Sequence, residues 1–173
     1  MIISQKLKET NIAEYILYMW QVEDTIRAFH FDINEIDRNI IRKYEQSREV
    51  KGAIRQWYEQ LIRMMVREDI REKGHLKFTL DSIDSLSSLH HSLLQEPTDK
   101  TYQELFRIAL PYVNEFQKKA EAEGQGVIET CLNGLYALLL LRLQNRKINR
   151  DTGEAMDSYR NLLSYLTVRY QNR

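Results

Sequence analysis

Cysteine is almost missing from this chain: Cys131 is the only one in 173 residues. An internal disulfide framework is therefore excluded, and so is a thiolate zinc cluster, which needs several cysteines or histidines at close spacing. Proline and glycine are scarce too, at two and six residues. Few positions can break a helix, and no stretch has the low-hydrophobicity composition of a disordered segment. No charge sign is in excess, with 25 basic and 25 acidic side chains. A nucleic-acid binder draws much of its affinity from neutralising phosphates, so no nucleic-acid partner is expected. From residue 142 to 173, seven Arg and Lys stand against three Asp and Glu. That local surplus reads as a solvated helix face.

Long apolar runs are absent as well. The most apolar one, "LYALLLL" (Leu135 to Leu141), is closed by Arg142, whereas a bilayer span needs about 20 residues. The start, "MIISQKLKETN", lacks the apolar core and cleavage site of a secretory leader. The expectation is a cytoplasmic protein with no membrane partner. There is no dinucleotide fingerprint, no phosphate-binding Gly-rich loop and no nucleophile elbow. A di-iron bundle needs two Glu-x-x-His pairs on facing helices. One match occurs, "EKGH" (Glu72 to His75), and it contains Gly74, a helix stop. No metal and no cofactor are expected.

What is present is helical periodicity, in every segment. Apolar residues make up 43% of the chain, and a chain of this length buries roughly 70% of its unfolded surface, so one core suffices. The spacing predicts helix 1 over about residues 6–29, helix 2 from about Asn34, and helix 3 from near Ser47 to a stop at Gly74. "HLKF" (His75 to Phe78) reads as an extended linker, with Thr79 or Asp81 capping helix 4. Helix 5 follows "EPTD" (Glu96 to Asp99), and Pro111 lies opposite its apolar stripe, so the ring should face solvent. "AEGQG" (Ala122 to Gly126) is a turn. Helix 6, from Val127 to about Arg146, is apolar nearly all round in its second half and reads as the central helix. On it Gly134, Ala137 and Leu141 share one side. Asn149 or Asp151 caps helix 7. The class is all-α: a compact single-domain bundle of six to seven helices over residues 1–173.

Three side chains are candidates for a site. On helix 1 the buried arc is Ile12, Tyr15, Ile16, Met19, Val22, Ile26 and Phe29. Glu23 falls inside that arc, Arg27 at its edge, and Asp24 points away. Glu23 and Arg27 stand four apart in the favourable order for an intrahelical ion pair. A buried carboxylate is costly unless paired, so the structural reading is that Arg27 or a tyrosine hydroxyl satisfies it. His90 lies at the centre of the apolar arc of helix 4, between Leu86 and Leu93. A buried histidine most often makes one hydrogen bond, but its ordinary pKa near neutrality suits acid–base work. Cys131, on an apolar helix, reads as a small core residue.

Three segments carry a resemblance: "AEYILYMWQVED" near the N-terminus, "EKGHL" in the middle, and "ETCLNGLYALLLLRLQNRKI" near the C-terminus. Together they resemble a domain-of-unknown-function family of short bacterial proteins, found mainly in the Bacteroides group. The likeness spans nearly the whole chain. It implies one all-helical cytoplasmic domain and transfers no activity and no site residue.

Two functional expectations follow. The first is a non-enzymatic helical interaction module that forms homo-oligomers, since no catalytic constellation appears and Leu17, Tyr18 and Trp20 lie outside the main arc of helix 1. The second is a small-molecule-binding or hydrolytic bundle with an internal polar pocket around Glu23, Arg27 and His90.

Overall fold

The computed structural model describes residues 2–121 and 123–173, with side chains from residue 4 on; Ala122 of the expected 122–126 turn lies outside the described residues. Among the described residues there are eight α-helices and no strand: α1 (Ile2–Thr10), α2 (Ile12–Ala28), α3 (Ile33–Asn39), α4 (Arg48–Arg67), α5 (Lys77–Gln95), α6 (Lys100–Lys119), α7 (Val127–Leu143) and α8 (Arg150–Gln171). A single 3-10 turn, Ile41–Lys43, follows α3. The count exceeds the expected six to seven because the first helix divides at Asn11. The Thr10 hydroxyl donates back to the Lys6 carbonyl at 2.8 Å. Short polar side chains of this kind compete with the helical ladder, which is why they gather at helix ends.

Several ends follow cap chemistry visible in the sequence. Asp32, Ser47, Asp99 and Asn149 accept from backbone amides at the starts of α3, α4, α6 and α8. Their side-chain oxygens satisfy amides that have no partner within the helix. Other ends do not announce themselves; α6 is followed by Glu121 at φ 51°. The helices α2, α4 and α7 close with His30, Asp69 and Asn145 in the left-handed region, at φ 52°, 55° and 54°. In each case the next amide reaches back five residues: Phe31 to Ile26, Ile70 to Met65, Arg146 to Leu141. This is the Schellman closure, usually built on glycine. Helix α4 thus ends at Arg67 and not at Gly74. Gly74 has its own positive φ of 93°, in the loop that follows.

The chain forms two compact units. The first holds residues 14–81 with α1; the second holds residues 82–173 with 11–13. In the first, α3, the 3-10 turn and α4 pack together, and Tyr18 stacks on Trp57 with ring centroids 6.4 Å apart. Trp20, expected outside the main arc, is buried. In the second unit, α8 packs against both α6 and α7, burying Met156, Tyr159, Leu162, Leu163 and Leu166. Helix α6 runs through Pro111, whose ring is exposed as expected.

The apolar helix α7 departs from the expectation. Its buried residues, from Ile128 to Leu138, lie toward its N-terminal end, while Leu140 is 37% and Leu143 69% exposed. Hydrophobicity all round a helix says that it can be buried, not where its neighbours stop. Gly134 sits in the covered half, facing α8. A Cβ built there would lie 2.7 Å from Cε2 of Tyr159 and 3.2 Å from Cε of Met156. The Tyr159 ring cannot yield freely, because it is buried and its hydroxyl donates to the Tyr112 carbonyl at 2.8 Å. Gly134→Ala therefore lowers stability by about 1–2 kcal/mol: overpacking outweighs the gain in helix propensity. Urea unfolding checks this, and a stabilised variant would show that α8 shifts without cost.

Candidate functional site

In the first unit, two side chains of α2 hold the loop between α4 and α5. Glu23 is fully buried. Its Oε2 lies 2.7 Å from Nδ1 of His75, and its Oε1 accepts the backbone N–H of Leu76 at 3.0 Å. Leu76 immediately precedes α5, so this amide belongs to the free N-terminal end of a helix, where negative charge is favoured. The next amide, of Lys77, donates to Glu68 at 2.7 Å. The start of α5 thus has two of its amides held by Glu23 and Glu68. Helix α5 begins at Lys77, within the stretch read as a linker, and Thr79 lies inside it.

Arg27 does not pair with Glu23. Its Nη1 donates to Asp24 at 2.9 Å, and its Nη2 donates to the carbonyls of Ile70, at 3.2 Å, and of Gly74. The expected intrahelical Glu23–Arg27 pair is replaced by two anchors, an anion on amide and imidazole, and a cation on carbonyls. The indole of Trp20 completes the joint by stacking on His75, with centroids 4.4 Å apart. The burial of Glu23, the central expectation for this helix, holds. Its partner is His75, which helical periodicity could not reveal because that residue lies in a loop.

In the second unit, His90 is buried and its Nδ1 lies 2.6 Å from the Tyr102 hydroxyl oxygen. Burial, with a smaller effect of neighbouring His91, pushes the imidazole down to about 4. Burial likewise holds the Tyr102 phenol well above its ordinary range. At neutral pH the pair is therefore a neutral phenol hydrogen-bonded to a neutral ring. Tyr102 also tilts against Tyr165, whose hydroxyl donates to Asp99 Oδ1 at 2.8 Å. Arg169 reaches Glu96 at 3.1 Å and lies 3.7 Å from the second Asp99 oxygen. Asp99 thereby joins the α6 cap to α8. Of this network only His90 was a sequence candidate; Tyr102 reads as core, and Asp99, Tyr165 and Arg169 give no periodic signal. Cys131 is buried, and burial pushes its thiol up to about 12, which leaves it a poor nucleophile.

A cleft of about 260 Å³ opens between α6, α7 and α8. Its floor includes Gly134, Ala137, Leu141 and Tyr159, and the paired Glu115 and Lys119, 2.6 Å apart, stand at its side. The shared face of Gly134, Ala137 and Leu141 is thus only partly filled by α8. Among the described residues, no three His, Cys, Asp or Glu side chains converge as a metal site, and no helix is long and apolar enough to cross a membrane. Glu23 and Arg27 act on one loop of the first unit, while His90 belongs to the second and is bonded there.

These features define an all-α protein whose buried polar groups tie helix ends and loops together. The chain belongs to the family described as a domain of unknown function, DUF4924, whose model matches residues 1–173. No curated protein and no solved structure matches it.

Proposed function

We propose that the protein is a non-enzymatic helical interaction module that associates with copies of itself through the C-terminal half of α7. The observation that carries this reading is the exposure of Leu140 and Leu143 on the most apolar helix of the chain. At 3.6 residues per turn, Leu143, Leu140, Ala137 and Leu141 follow one another around the helix. The exposed leucines therefore run continuously into the cleft beside α8. A contiguous apolar surface of this kind marks an association site, and a two-fold pair of such faces is self-complementary. The setting proposed is cytoplasmic and bacterial, in the Bacteroides group, as the family resemblance implies.

The alternative, a small-molecule-binding or hydrolytic bundle using Glu23, Arg27 and His90, asks more of a ligand. It would have to displace His75 and the Leu76 amide from Glu23, or Tyr102 from His90. Sedimentation at high micromolar concentration decides the leading reading. The expected result is a dimer or larger species, reduced to monomer by Leu140→Glu with Leu143→Glu. A strictly monomeric parent protein removes the proposal; association unchanged in the double variant removes the α7 face.

A further inference from the structure

The first unit carries a recess that self-association through α7 does not use. Tyr15, Met19, Trp57, Leu61, Met64 and Phe78 wall it, with a volume of about 220 Å³. Gln60 and Met64 continue from it to an open mouth lined by Arg63 and Arg67. The sequence builds this arrangement on one helix. Residues 57, 60, 61, 64 and 67 recur at three- and four-residue steps and share a face of α4, with Arg63 and Arg67 one turn apart. Lys8 stands at another edge, its Nζ 5.7 Å from the Tyr15 ring centroid. No carboxylate lines the recess or its mouth.

The charge of that mouth is uncompensated. In the same unit Arg27, Arg38, Arg42 and Arg55 each have a carboxylate partner. Arg63 and Arg67 are exposed and have no ion-pair partner among the described residues. Two planar guanidinium forks, four residues apart, suit a carboxylate or phosphate oxygen set. The wall beside them is made of aromatic rings and two thioethers, which adapt to an apolar guest of irregular shape. The site thus presents rings and thioethers with Ser4, Lys8 and Gln60 among them, and an arginine pair at its mouth.

We propose that this recess binds a short amphiphilic anion, with its hydrocarbon part against Trp57, Met19 and Met64 and its anionic head on Arg63 and Arg67. The recess is small and open at its mouth, so a short chain suits it, and octanoate is the probe.

The test uses 8-bromooctanoate, whose bromine quenches an indole that it touches. Trp57 lines the recess, whereas Trp20 is buried against His75. Saturable quenching is expected, and it should vanish in Trp57→Phe while calorimetry still detects octanoate. Arg63→Gln with Arg67→Gln should weaken octanoate at least about tenfold, or about 1.4 kcal/mol. Both residues are exposed, so circular dichroism should show an unchanged fold. Bromooctanol should bind less tightly and be indifferent to the arginine changes. Absence of saturable binding up to about 1 mM, a dissociation constant near the weak end of specific recognition, overturns the proposal. So does octanoate affinity unchanged in the folded double variant. Sedimentation with phosphatidylglycerol vesicles separates a free amphiphile from a membrane surface: arginine-dependent vesicle binding without octanoate binding also overturns it.

Discussion

Glu23→Ala is expected to lower the unfolding free energy by roughly 3–5 kcal/mol, through lost buried hydrogen bonds and the space left behind. The carboxylate accepts from the Leu76 amide and faces Nδ1 of His75 while fully buried. Its removal leaves the amide at the start of α5 without its acceptor, and an unmade buried hydrogen bond alone costs about 1–3 kcal/mol. It also frees the imidazole on which Trp20 is stacked, and it opens a space that neighbours fill only in part. Glu23→Gln keeps the volume and one carbonyl acceptor, so its cost is smaller. Asp24→Ala is the internal control. Asp24 is exposed and paired with Arg27 three residues on, a type of pair worth about 0–1 kcal/mol. Urea unfolding of the three variants should separate Glu23→Ala from Asp24→Ala by at least about 1.5 kcal/mol. Equal losses would mean that Glu23 is not the anchor of the α4–α5 loop.

The second large effect is on acid stability. Folding lowers the pKa of His90 from its ordinary 6.5 to about 4, first through burial and then through His91. The unfolded chain therefore takes up a proton, between pH 6.5 and 4, that the folded chain refuses. Unfolding is promoted wherever the unfolded state binds more protons. The contribution of His90 is thus fully present above about pH 6.5 and is lost as pH falls toward 4. About 2 kcal/mol is expected over that window; this is less than the shift alone would give, because His91 beside it is exposed and water screens part of the interaction. His90→Gln removes the titration and leaves an amide that can hydrogen-bond the Tyr102 hydroxyl in either sense. Urea midpoints at pH 7 and pH 5 should converge in this variant relative to the parent. A parent and variant with the same pH dependence would place the acid sensitivity elsewhere.

Both predictions depend on residues that were legible in the sequence to different degrees. Glu23 could be placed in the core because helical period alone fixes which side of α2 it occupies. Its partner could not, because His75 lies in a loop, 52 residues away, and no period governs a loop. Arg27, at the correct spacing for Glu23, is drawn instead to Asp24 and to two carbonyls that only the folded loop presents. His90 likewise falls on the apolar arc of α5 by counting. The Tyr102 hydroxyl that meets it comes from α6, and a tyrosine in an apolar stripe does not declare where its oxygen points.

By itself the sequence determined the all-helical class, the starts of α4 and α8 at Ser47 and Asn149, and the burial of Glu23 and His90 on their helices. These are local properties, set by side-chain spacing and by the nearest unsatisfied amides. The tertiary structure decided the rest. It closed α2, α4, α6 and α7 on non-glycine residues at positive φ, because the backbone must turn there whichever residue stands at the turn. It held two amides at the start of α5 on Glu23 and Glu68, because acceptors close in space need not be close in sequence. It left Leu140 and Leu143 uncovered on a helix apolar all round, because where a neighbouring helix ends depends on how the chain is arranged in three dimensions.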